Sequence, residues 1–201
     1  MSSQSSHLLI SDVAKQLELS QATIAQWIVA GVLLVQRSEN EEPLILSDSV
    51  NTILKEKKSI PIIDPVASDV IKVAIVEDDL DVCKLLEMTI HNFDFKTQIQ
   101  TANNGLKGLA LITEYKPDIL IADLNMPIMD GFRMLQAIDG TELAPKKIVV
   151  ITALDHNTIA SRGGLPKDAT IISKPFNLDE LEAQLRAWFI HHPWSLSTYC
   201  D

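Results

Sequence analysis

Apolar and polar positions change period along the chain. In "ISDVAKQLELSQATIAQWIVAGVLL" the apolar residues recur at helical spacing: Val13, Ala14 and Leu17 share one face, and Ile24, Trp27 and Ile28 the next. Ser20 is placed to cap the second helix and Gly31 to stop it. Two short strands follow, Leu34–Arg37 and Leu44–Leu46, and a third helix starts near Ser47. The pattern then fails across "KEKKSIPIIDPVASD", a charge run with two prolines that reads as a linker. Beyond it, apolar runs alternate with periodic segments. Strands are predicted at Val73–Val76, Thr97–Thr101, Ile119–Ala122, Ile148–Ile151 and Thr170–Ile172, with helices near 80–92, 104–114, 131–139, 155–162 and 178–190. The nearly unbroken "ILIA" and "IVVI" suit strands buried on both faces. Five strand–helix repeats predict an α/β fold with a five-stranded, parallel, doubly wound sheet. The expected division is a mainly helical domain at 1–58, a linker at 59–69, the α/β domain at 70–192 and a tail at 193–201.

The strand ends carry the candidate chemistry. Asp123, in "IADLNMPIMDG", stands where an apolar run stops and a tight loop begins. Alone, such an aspartate is a helix cap or a turn residue. It is not alone: the first strand stops in "IVEDD" at Glu77, Asp78 and Asp79, the fourth at Thr152, and the fifth at Lys174 in "IISKPF". Ligands of open α/β sheets bind at this carboxyl edge. Clustered carboxylates repel one another, so a cation is needed to hold them ionised, and hard oxygen ligands with an open shell suit Mg²⁺. A lysine and a hydroxyl aimed at the same place stabilise the oxygens of a transferring phosphoryl group, which a carboxylate can accept.

In the order and spacing of these motifs, residues 70–192 resemble the receiver domain of two-component response regulators, a flavodoxin-like fold. The resemblance implies that Asp123 is the phosphoacceptor, served by a sensor histidine kinase, a phosphotransfer protein or a small phosphodonor. It implies that Mg²⁺ is bound by Asp78, Asp123 and the backbone carbonyl of Asn125, with Glu77 acting through water. Thr152 is the switch hydroxyl, Lys174 the basic residue, and Lys174–Pro175 a cis bond. Asn125 and Leu154 fall at positions that tune the lifetime of the phosphorylated state. No enzymatic activity is implied beyond phosphoryl transfer to and from Asp123. Two departures stand out: Ile171 replaces the aromatic residue many receivers carry three positions before the lysine, and "SRGGLPKD" predicts a short fourth helix.

Composition narrows the setting. The net charge of −10 argues against nonspecific binding to nucleic acid, whose counterions Lys and Arg must displace. Lys and Arg against Asp and Glu number five and seven in residues 1–60 but twelve and twenty in 61–201, so most negative charge lies in the second part. Two cysteines make no disulfide framework. No apolar stretch approaches the roughly 18 residues that span a bilayer, and the start does not resemble a secretory leader. A cytoplasmic protein without membrane insertion is expected.

The front module resembles the helix-turn-helix of the MerR and excisionase-like families, with a two-stranded wing. Its candidate DNA contacts are Gln21, Thr23 and Gln26, expected to be exposed on the second helix, and Arg37 in the wing. Few cations support them: the wing tip "RSENEEP" adds Glu39, Glu41 and Glu42, and Lys55, Lys57 and Lys58 fit a solvated helix end as well as a phosphate contact. Two readings stand side by side. One is a transcriptional regulator binding DNA, which would require a homodimer presenting two recognition helices. The other is an adaptor whose module docks a protein partner. The aromatic tail, with Trp188, Phe189, Trp194 and Tyr199, is a further candidate dimer or partner surface.

Overall fold

The computed structural model of the chain describes residues 7–37, 43–60, 70–93 and 95–190. The front module opens with β1 (His7–Leu8), α1 (Ile10–Leu17) and α2 (Gln21–Val29), continues through β2 (Val35–Arg37) and β3 (Pro43–Leu46), and ends in α3 (Ser47–Ser59). Its strands form an antiparallel sheet in the order β1-β3-β2. The pair β1 was not foreseen: two residues are too few to show a period. The first strand of the hairpin starts at Val35, one residue later than expected. Ser20 caps α2, accepting from the Thr23 amide at 3.1 Å. Ser59, expected in the linker, is instead the last residue of α3. The rest of the linker from 61 to 69, the wing-tip acids Glu39, Glu41 and Glu42, and the tail from 191 onward lie outside the described residues.

The second unit alternates strictly. It comprises β4 (Ile71–Val76), α4 (Leu80–His91), β5 (Thr97–Ala102), α5 (Gly105–Tyr115), β6 (Ile119–Ala122), α6 (Gly131–Ile138), β7 (Lys147–Thr152), α7 (His156–Ser161), β8 (Thr170–Ser173) and α8 (Leu178–Ile190). All pairings are parallel, in the order β5-β4-β6-β7-β8. Strand order reverses next to β4, which places the crevice between the ends of β4 and β6. Successive strand side chains face opposite ways. Val73, Ile75, Ile119, Ile121, Val149 and Ile151 therefore pack toward Leu86 and Ile90 of α4 and Leu181 and Leu185 of α8. Ala74, Val76, Leu120, Ala122 and Val150 face Leu109, Ile112, Met134 and Leu135 of α5 and α6. Each fully buried aliphatic side chain stabilises the fold by about 1.5–3 kcal/mol relative to exposure.

This second core does not end at the helices. It runs on into the front module, where Ile24, Trp27, Val50 and Ile53 are fully buried in the same apolar cluster. Helix α2 packs on α6, and α3 on α5. The short helix also materialises: α7 has six residues, followed by Gly163 and Gly164 at φ +99° and +77°, a left-handed backbone that side-chain-bearing residues resist. No helix among the described residues is long and apolar enough to cross a membrane.

Candidate functional site

Asp123 follows the last residue of β6 and is only 7% exposed. Its amide donates to the Val76 carbonyl at 2.9 Å, which ties the loop to the neighbouring strand. One carboxylate oxygen accepts from the amides of Leu124 (2.6 Å) and Asn125 (3.3 Å), and the other from Lys174 Nζ at 2.9 Å. The close packing is enforced by Gly131 at the start of α6. A Cβ there would strike the Asp123 carbonyl oxygen and come within 2.9 Å of Leu124 Cα, so only glycine lets α6 begin this near the site.

Glu77, 3% exposed at the end of β4, accepts from the same Lys174 Nζ with both oxygens, at 3.1 and 2.8 Å. One ammonium thus bridges two carboxylates from different strands. Burial pushes the Glu77 carboxyl above its ordinary range, while the hydrogen bond and charge of Lys174 pull it back. Burial works against the charge of Lys174 too, but its bonds to Glu77 and Asp123 prevail and hold it above its ordinary value. Asp78 is exposed beside them, and ligand atoms of Glu77, Asp78 and Asp123 all lie within 4.8 Å of one another. Three oxygens so close fit a hard divalent cation with open positions. Asp79 has a different job: its side chain caps α4, accepting from the amides of Asp81 and Val82.

Thr152 ends β7 fully buried, and its Oγ1 accepts from the Leu154 amide at 3.3 Å. Its carbonyl takes the Lys174 amide at 2.8 Å, so the backbones of these two residues are fixed to each other. Lys174–Pro175 is cis, as expected. The Asn125 side chain is exposed at the mouth, Leu154 is half-buried against the core, and Ile171 is half-buried.

The front-module candidates fall differently. Gln21 is exposed. Thr23, expected on the solvent face, is fully buried, and its hydroxyl donates to Glu142 Oε2 at 2.5 Å. Gln26 donates from Nε2 to the Gln136 carbonyl at 2.8 Å. Both therefore face the α/β unit, because α2 turns its polar edge toward α6. Arg37 lies in β2 opposite Pro43, with its side chain outside the described atoms. Lys57, read as part of a solvated helix end, instead pairs with Glu114 of α5 at 2.7 Å and donates to the Leu17 carbonyl at 3.2 Å.

The residues that hold the module down were missed. Glu142 also accepts from the Ser20 amide at 2.9 Å and the Ser20 hydroxyl at 3.1 Å. Partial burial would raise its carboxyl, but these hydrogen bonds from Thr23 and Ser20 win and lower it to about 2. Arg133 of α6 donates from Nε to the Ala30 carbonyl at 3.3 Å and from a terminal nitrogen to the Gly31 carbonyl. In the sequence these are ordinary surface charges, more than a hundred residues from their partners.

Part of the chain is similar to known proteins. Residues 73–186 match the family described as the response regulator receiver domain. A probable chemotaxis protein CheY of Rhizobium etli is 32% identical over 120 residues, 59% of this chain and 92% of that protein. A probable C4-dicarboxylate response regulator DctR of Bacillus subtilis is 36% identical over 118 residues, 58% of this chain. That match takes in 51% of the regulator, so the chain spans about half its length. Among solved structures, the N-terminal domain of an uncharacterized protein from Wolinella succinogenes aligns at 27% identity with a TM-score of 0.52, over 59% of this chain and 94% of that one. With the family match covering more than half of its length, the chain belongs to the response regulators that carry a receiver domain.

Proposed function

We propose that the chain is a phosphorylation-controlled response regulator, with Asp123 as its phosphoacceptor and the front module as its output. One observation carries this reading: Lys174 bonds both Glu77 and Asp123 while three carboxylates converge within 4.8 Å at the strand edge. An Asp123 carboxylate oxygen attacks the phosphorus of a phosphohistidine, on a sensor kinase or phosphotransfer protein, or of an acyl phosphate. The new O–P bond forms as the donor's N–P or O–P bond breaks, and the donor keeps that electron pair. Mg²⁺ held by Asp78, Asp123 and the Asn125 carbonyl, with Glu77 reached through water, would neutralise the phosphoryl oxygens. Lys174 exchanges its contact with the carboxylate for one with the phosphoryl group, and the Thr152 hydroxyl turns to a second phosphoryl oxygen. Leu154, with no group to orient a water, slows hydrolysis.

The front module is read as a winged helix-turn-helix of the MerR and excisionase-like type, acting on DNA as a transcriptional regulator. A second reading, an adaptor that docks a protein, is favoured by the exposed apolar residues Val29, Leu34 and Val35. Chromatin pulldown set beside partner pulldown separates the two, using wild type and Asp123→Asn. Recovery of discrete DNA sites that depends on Asp123 supports the regulator; phosphorylation-dependent recovery of a protein with no DNA enrichment supports the adaptor.

A further inference from the structure

Resting on the phosphoacceptor reading, the geometry points to Arg162 as the link through which the state of Asp123 reaches the front module. We propose that this link runs through α6, by way of an ion pair between the end of α7 and the start of α6.

Thr152 ends the strand that leads into α7, and α2 of the module packs on α6. Helix α7 starts four residues beyond Thr152, capped by Asp155, and Arg162 caps its C-terminal end. There Arg162 pairs with Asp130 at 2.7 Å and lies over the Phe132 ring, 4.3 Å from its centroid. Asp130 spends its other oxygen on the Arg133 amide at 2.9 Å, capping α6. One carboxylate thus joins the end of α7 to the first turn of α6. That turn is also tied to the phosphoacceptor loop, because the Gly131 amide donates to the Leu124 carbonyl at 3.1 Å. The next residues of α6 grip the module: Arg133 holds the Ala30 and Gly31 carbonyls, and the Gln136 carbonyl takes Gln26.

Apart from the Asp130–Arg133 cap within α6, these contacts join different elements. A shift of α7 that follows the Thr152 hydroxyl would pull on Asp130 and tilt α6 under α2. Gly163 and Gly164 follow Arg162 with open space where a Cβ would stand, while their amides bond back to Ala160 and Ile159 of α7, so this end of the helix moves as one piece with it. Ile171, half-buried within β8, lacks the ring through which that strand would take part. Of the module's two helical contacts, α3 on α5 and α2 on α6, the second lies next to this ion pair. Coupling of this kind shows as a two-state response of the docked module.

Hydrogen–deuterium exchange of residues 20–31 in the full chain, with and without acetyl phosphate and Mg²⁺, provides that response. Labelling of Asp123 is followed by mass spectrometry in the same samples. Wild type should gain exchange in this segment on phosphorylation. Arg162→Ala should keep Asp123 labelling while losing about fivefold or more of that gain. Asp130→Asn, which retains the α6 cap but removes the ion pair, should behave the same way, and Arg162→Lys should restore part of the response. Labelled Arg162→Ala with an undiminished gain overturns the proposal, as does a labelled wild type whose segment 20–31 does not respond. Absence of label from Asp123 in wild type overturns the phosphoacceptor reading, and this proposal with it.

Discussion

Glu142 accepts a hydrogen bond from Thr23, a residue 119 positions earlier in the chain, and in doing so fixes the start of α2 against the α/β unit. The same carboxylate takes the Ser20 amide and hydroxyl, so the receiver supplies a charge at the positive end of that helix. Glu142→Gln keeps the shape and removes the charge. It should weaken docking of the module by about 1 kcal/mol, a value reduced by solvent around the exposed carboxylate. Faster hydrogen exchange of residues 20–31 at neutral pH, with the β-sheet amides unaffected, is the expected result.

Protonation should act in the same direction. The docked carboxyl is lowered from 4.5 to about 2, so its contribution is complete above pH 4.5 and is lost as pH falls toward 2. An NMR titration of the Thr23 methyl group should report a midpoint near the lower value, and Glu142→Gln should abolish that step. A midpoint near 4.5 would mean that the hydrogen bonds do not favour the ionised form.

Gly131 tests how tightly the site is packed. A Cβ at that position meets the backbone of Asp123 and Leu124, which cannot swing aside as a side chain would. Gly131→Ala should cost about 1–3 kcal/mol in urea unfolding. It should also slow labelling of Asp123, because α6 must retreat from the loop.

Leu154 tests lifetime. The residue is half-buried near Thr152, to whose hydroxyl its own amide donates. Opening that space with Leu154→Ala should speed decay of the phosphorylated protein by about tenfold, the equivalent of ~1.4 kcal/mol in barrier. An unchanged decay rate would show that water reaches the phosphoryl group by another path.

The sheet was readable because its signals are local. Unbroken runs such as "ILIA" and "IVVI" became strands buried on both faces, and Ser20 capped α2 as its type and place required. The site was readable because four strand ends converge on one edge, so Glu77, Asp123, Thr152 and Lys174 could be placed by topology alone. The docking of the front module was not. Thr23 looks like a solvent-facing helix residue until Glu142 arrives from a distant loop, and Lys57 looks solvated until Glu114 meets it. Arg133, Arg162 and Asp130 give no periodic or motif signal, since their meaning lies in which helices happen to be neighbours. β1 was too short to show any period.

The central claim concerns Asp123, and its modification is the most direct test. Full-length protein incubated with acetyl phosphate and Mg²⁺ is trapped by borohydride reduction, digested and sequenced by mass spectrometry. The label should fall on Asp123, be absent from Asp123→Asn, and form more slowly in Asp78→Asn, which loses a carboxylate next to the site rather than the acceptor. Full labelling of the Asp123→Asn protein, or a label on another residue in wild type, would contradict it.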